Sequence, residues 1–170
     1  ISGSPRVHFT FRSESPSLRG ESSKSGMRRE YTMVRINIID PKKLADQHLI
    51  AEYDEILMLF GYVKKYPEKK EIPESYRLGE GHIRFFKDKL LYLKKRHELI
   101  KKEMLKRGFH PTRTIDVSSF SKELCNDWSP TKKDEEIIIA RLKEKLNKKD
   151  GWYRYCGKKK ETDFFFELTQ

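Results

Sequence analysis

The chain has little cysteine: Cys125 and Cys156 stand far apart, with no CxxC spacing. Disulfide frameworks and zinc sites need clustered thiols, so neither is expected, and both side chains read as reduced, intracellular thiols. No apolar run approaches the ~20 residues of a helical membrane span. Metal-binding motifs are missing too. There is no HExxH, and a third ligand beside His48 and Glu52 would have to come from His82 or elsewhere without supporting spacing, so no metal site is expected. Acidic residues are the minority, 26 Asp and Glu against 37 Lys and Arg, for a formal charge of +11. That sign favours nucleic acid as the partner over an acidic small molecule, with an anionic membrane surface the weaker option.

What is present suffices for one domain. At 170 residues, 36% hydrophobic and 12% aromatic, the chain can enclose a core. Residues 1–32 do not share in it. They carry eight serines, three glycines and two prolines with no hydrophobic period, and read as a disordered extension outside the mature protein. Opening on Ile1 fits that reading, while Glu14, Glu21 and Glu30 argue against a transit peptide. The extension holds six of the basic and three of the acidic residues, which leaves 31 against 23 and a charge of +8 for residues 33–170. The basic character therefore belongs to the domain, expected over 33–160, with 161–170 as a C-terminal tail.

Hydrophobic periodicity predicts an all-α fold of three helices. Leu49, Tyr53, Ile56, Phe60 and Val63 recur at spacings of four and three, with Gly61 and Pro67 at the weakening end. Phe86, Leu90, Leu93, His97, Ile100 and Met104 do the same, and Gly108 supplies a stop. The third helix follows "SPTKKDEE", where Ser129 or Thr131 can cap, and buries Ile138, Leu142 and Leu146. "YPEKKEIPESYRLGEGH" is a loop. No strand is expected, although "VRINII" is β-branched enough to run extended and pack against the helices.

Three polar patterns stand out. His48, Glu52 and Glu55 fall at i, i+4 and i+7 and form a ledge beside the first apolar stripe; spacing alone favours a solvated face with a His–Glu hydrogen bond. "WYRYCGKKK", 152–160, interleaves aromatics with cations, which suits bases stacking on rings while cations hold phosphates, with a core segment as the equal alternative. Arg141, Lys145 and Lys148 make a basic stripe leading into it. "GEGH" at 79–82 is a poor phosphate loop, because Glu80 repels an anion.

Taken in order, "RIN", "LADQHLIAEY" with Glu55, "LGEGHIRFFKDKL", "KKR", "KRGF", "ARLKEK" and "WYRYCGK" resemble the phage endonuclease V family of pyrimidine-dimer DNA glycosylases, from about residue 33 to 158. The resemblance implies a compact helical domain that excises one base of a cyclobutane pyrimidine dimer from damaged double-stranded DNA and nicks the abasic site, without metal or organic cofactor. It implies Val34, freed by removal of Met33, as an α-amine nucleophile that becomes a Schiff base, with Glu55 as the essential carboxylate. By the same resemblance Arg35, Gln47 and His48 line the site, and Arg141, Lys145, Trp152, Tyr153, Arg154, Tyr155, Gly157 and Lys158 meet DNA. A monomer is expected, in the nucleoid-bearing cytoplasm of a prokaryotic or virus-infected cell or in a eukaryotic nucleus.

Two positions depart from the family pattern. Asp54 and Met58 stand where arginines gripping the lesion strand are expected, which weakens phosphate contact and leaves Lys64 and Lys65 to compensate. An enzyme for abasic sites or another lesion is one alternative, and a non-catalytic DNA-binding module is the other.

Overall fold

The computed structural model describes residues 35–170. The expected extension, Met33 and Val34 lie outside the described residues. The described chain runs α1 (Asp46–Lys65), α2 (His82–Phe86), α3 (Leu90–Lys106), α4 (Lys132–Asn147), β1 (Arg154–Tyr155), β2 (Lys158–Lys159) and α5 (Thr162–Leu168). The all-α expectation holds: three long helices carry the fold, and the strands are a two-residue antiparallel hairpin pairing Arg154 with Lys159 and Tyr155 with Lys158.

The first apolar stripe is buried throughout, with Leu49, Ile56 and Val63 fully inaccessible. Each such side chain contributes about 1.5–3 kcal/mol by leaving water. The helix continues past Gly61, whose interior cost is only ~1 kcal/mol. It stops after Lys65 because Tyr66 precedes Pro67 and is pushed out of the helical region, to φ −129 and ψ 71.

The second stripe is buried as expected but does not lie on one helix. Phe86 closes α2, and α3 starts only at Leu90. Between them Lys89 forms a bridge with Cys125, and the Asn126 amide donates to Asp88 O at 3.2 Å. This distant strip of chain competes for the backbone that a continuous helix would use. At the other end Gly108 adopts φ +83, open to glycine at little cost, and the Phe109 amide closes on Met104 O. α4 is capped by Thr131, which exchanges hydrogen bonds with Asp134 in a capping box.

Residues expected as a tail form α5. Its Phe165 is buried against Ala45, Leu146 and Tyr153 in a second, smaller core, and Thr162 ties the helix to Asp150 and to Leu146 O.

Residues 35–39 are neither helix nor strand, yet Ile36, Asn37, Ile38 and Ile39 are buried. Buried backbone groups need partners, and here side chains supply them. Arg96 donates to Asn37 O and Ile39 O, and Tyr76 Oη donates to Ile36 O at 3.3 Å. Arg96 is itself held by Glu52: Nε donates to Oε1 at 2.7 Å and Nη2 to Oε2 at 3.1 Å, while Asn37 Nδ2 reaches Oε2 at 3.1 Å. Glu52 is wholly buried, so the solvated reading of the ledge fails at its central residue. Burial pushes the Glu52 carboxyl up, the guanidinium opposes that, and Arg96 is held above its ordinary value as a cation.

Candidate active site

Glu55 lies one turn beyond Glu52 on α1, at the edge of the core rather than within it. Its Oε2 accepts the Arg35 amide at 2.7 Å. Burial drives the carboxyl up to about 7; the Arg35 amide, the Arg35 side chain and Lys145 oppose that shift, and the neighbouring Glu52 adds to it. A carboxyl poised there can carry either charge state near neutrality, which suits acid–base work and stabilisation of a developing cation.

Cations close over the carboxylate. Arg35 is half-buried and drawn below its ordinary value by burial and then by Arg141, with Glu55 opposing. Lys145, on α4, is likewise lowered by burial, Arg35 and Arg141. Arg35 and Lys145 beside one carboxylate, with Arg141 next to both, leave an excess of positive charge that an anion would relieve. Arg141 is less available than the pattern suggested. Its Nη1 lies 2.5 Å from Glu144, which also pairs with Lys148 at 2.6 Å, so part of the expected basic stripe is neutralised within α4.

His48 stands a turn and more before Glu55 on the same helix, half-buried, its ring 4.7 Å from that of Tyr153. The expected His48–Glu52 bond is not formed, since Nε2 has no partner among the described residues. Burial, then Arg35 and Lys145, lower its pKa to about 4, so the imidazole is neutral at physiological pH. His82 is the other histidine at the site, and it binds backbone: the Ile36 amide donates to Nε2 at 2.8 Å, while Nδ1 sits 2.9 Å from Arg77 O.

The C-terminal aromatic segment is docked against the start of α1. Gln47 uses both ends of its amide on that segment's backbone, Nε2 donating to Trp152 O at 3.1 Å and Oε1 accepting from Arg154 N at 2.9 Å. Asp46 accepts the amides of Cys156 and Gly157 at 3.1 and 2.8 Å, fixing a hairpin turn in which both residues have positive φ. Tyr153 is buried. Tyr155 lies under the Arg107 guanidinium at 4.2 Å with its hydroxyl donating to Lys42 O. Of the three aromatics only Trp152 is exposed, with Lys149 over its ring at 4.6 Å. Lys158 is exposed on the hairpin and Arg154 is half-buried beside it. The segment is therefore largely a scaffold that presents Trp152 and the hairpin cations.

Among the described residues no group of three or more His, Cys, Asp or Glu converges as a metal site. The arrangement is a half-buried carboxylate with a pKa near neutrality, a neutral histidine and neighbouring cations, the carboxylate holding the first described amide.

The family described as pyrimidine dimer DNA glycosylase matches residues 33–117, half of the 170-residue chain. This chain belongs to that family. It is thus a DNA repair glycosylase acting on DNA, and no helix of its described residues is long and apolar enough to cross a membrane. The match contains Arg35, Gln47, His48, Glu55 and His82, together with Val34. The cations of α4 and the docked aromatic segment lie beyond it, and in the structure they neighbour Glu55 and the start of α1. Of the two departures, Met58 is exposed one turn after Glu55, and Asp54 lines a shallow cleft with Tyr53, Phe109, His110 and Arg113.

Sequence reasoning missed two participants. Arg96 looked like one more cation in "KKR", and His82 like part of a poor phosphate loop. Only an unusually placed arginine on an apolar face could have signalled the first, since Arg96 stands between Leu93 and Ile100 in the buried stripe.

Proposed function

We propose that this glycosylase is bifunctional, excising a base of a cyclobutane pyrimidine dimer and nicking the resulting abasic site through the α-amine of Val34. The hydrogen bond from the Arg35 amide to Glu55 carries this reading. Val34 directly precedes Arg35, so its α-nitrogen is three covalent bonds from the amide that Glu55 holds. An α-amine with a pKa near ~8 is far less protonated at neutral pH than a lysine near ~10.4.

The neutral amine attacks C1′ of the deoxyribose as the glycosidic bond breaks and the base departs with its electron pair. Ring opening protonates O4′ and yields an imine between Val34 and C1′. Removal of a C2′ proton then expels the 3′-phosphate by β-elimination, and water hydrolyses the imine. Glu55, as carboxylate, stabilises the cationic C1′ and accepts the C2′ proton. Arg35 and Lys145 hold flanking phosphates, Arg141 adds a weaker contact because it is shared with Glu144, and Trp152 offers a ring for an unstacked base. The enzyme acts as a monomer in whichever compartment holds the DNA.

A second reading, an enzyme for abasic sites or another lesion, is favoured by Asp54 and Met58, which supply no phosphate contact beside the site. Incubating the chain begun at Val34 with ultraviolet-irradiated and with abasic duplexes separates the two. Nicking of both supports the first reading, nicking of abasic DNA alone the second, and nicking of neither removes the enzymatic account.

A further inference from the structure

We infer that His82 is a positioning residue, whose imidazole acts as a hydrogen-bond acceptor that sets the register of the N-terminal segment and thereby keeps the Arg35 amide on Glu55. This rests on the function proposed above.

The segment 35–39 has no ladder of its own, so its backbone groups are held one by one by side chains that reach them. Arg96 and Tyr76 grip carbonyls. The two amides nearest the reacting end are gripped by Glu55, at Arg35, and by His82, at Ile36. Of those two acceptors only His82 is buried beyond solvent, 2% exposed, and it is wedged between the rings of Tyr76 and Phe86 at 5.5 and 5.2 Å. Glu55 must be free to change charge state and partner during the reaction. Of the two acceptors that hold amides at this end, the fixed one is therefore His82.

The two contacts of the imidazole dictate its state. Nε2 must carry the lone pair that receives the Ile36 N–H, and Nδ1 must carry the proton that meets Arg77 O. Protonating Nε2 would face one donor with another. Burial first, and Arg35 after it, lower the pKa to about 4, which keeps that acceptor available across the physiological range. Shifting the segment by even one residue would put a side chain where the amide lies. A displacement of about 1 Å at the nucleophile is enough to cost on the order of 100-fold in rate.

The test uses the chain begun at Val34, which retains every described residue. His82→Phe keeps the ring packing but deletes the acceptor; His82→Gln keeps an acceptor at similar reach. His82→Phe is expected to cleave abasic DNA at least ~30-fold more slowly in single turnover, with duplex affinity within ~3-fold of wild type. Its rising pH limb should also move to higher pH, since Glu55 loses the Arg35 donor that holds it down against Glu52 and burial while Lys145 stays in place. His82→Gln should restore most of the rate and the profile, which a merely structural role would not require. A folded His82→Phe with wild-type rate and pH profile overturns the inference. Should that variant fail to fold, imidazole nitrogen NMR of the unaltered protein decides: an Nδ1–H tautomer coupled through Nε2 to the Ile36 amide supports the role, and an Nε2–H tautomer overturns it. If the wild-type adduct on abasic DNA maps to a lysine, the proposed function fails whatever His82 does. If it maps to Val34 while His82→Phe is unimpaired, only the positioning role fails.

Discussion

Replacing Arg96 with methionine should strongly destabilise the molecule beneath its candidate site. Arg96 is 4% exposed, forms two bonds to the wholly buried Glu52 and supplies the donors for Asn37 O and Ile39 O. Methionine fills a similar volume but leaves a buried carboxylate without its cation, a change that costs about 3–5 kcal/mol. The two orphaned carbonyls add on the order of 1 kcal/mol each. Against a total stability of roughly 5–15 kcal/mol, the variant keeps only a marginal fold. At roughly 3 °C per kcal/mol for a domain of this size, Tm should fall by at least ~10 °C in a calorimetric or circular-dichroism melt. Adding Glu52→Leu removes the uncompensated charge, so the double variant should melt above the single one, though below wild type because the carbonyls still lack donors. A single variant within ~2 °C of wild type, or a double variant less stable than the single, would refute the claim that this pair anchors residues 35–39.

Other expectations concern chemistry, binding and pH. Glu55→Gln should lower strand cleavage by at least ~100-fold in single turnover while leaving duplex affinity nearly unchanged; wild-type nicking would return Glu55 to a surface role. Lys145→Ala should reduce the slope of log affinity against log salt by about 0.9, and Arg141→Ala by less, because Arg141 already shares Glu144; the opposite ranking in salt titrations would contradict the pairing seen in α4. Stability should fall as pH drops from ~6.5 towards 4. His48 and His82 have folded-state values of about 4, below the unfolded ~6.5, so the unfolded chain binds their protons first. Glu55, raised to about 7, acts in the opposite sense over the same window, leaving a net loss of roughly one proton, or ~1.4 kcal/mol per pH unit. A Tm that is flat or rises on acidification across that range would show the histidines are not buried neutral.

Much of the scaffold was legible from spacing. Alternating steps of four and three located the buried faces of α1 and α3, and successive steps of four that of α4, because a helix must repeat its apolar stripe to reach a core. The break between Phe86 and Leu90 was invisible, since the buried positions stay in phase across it and its cause, Cys125 and Asn126, is more than thirty residues away. α5 was missed because three successive phenylalanines in a seven-residue helix display no period. At the site, Glu55, Arg35, His48 and Lys145 are legible through the family resemblance, and the fold brings them together. Spacing leaves Tyr153 and Tyr155 equally open to stacking or core, and the burial of Tyr153 and partial burial of Tyr155 at the second cluster follow from a helix that the sequence does not advertise. The bonds that hold residues 35–39 were the least readable, because Glu55, Tyr76, His82 and Arg96 reach them from 20 to 59 residues away. No local pattern announces that a histidine or an arginine will serve as the hydrogen-bond ladder of a segment that has none.

The proposed Schiff-base mechanism makes the α-amine of Val34 the reacting nitrogen, next in the chain to the amide that binds Glu55. Borohydride reduction during reaction with abasic duplex converts a Schiff base to a stable amine, and peptide mapping of the adduct identifies the nitrogen. The chain begun at Val34 should be trapped efficiently with the sugar remnant on Val34, whereas the 170-residue chain, in which that nitrogen is an unreactive amide, should not be trapped there. Efficient trapping of the 170-residue chain, or an adduct on a lysine such as Lys145 or Lys158, would contradict the account.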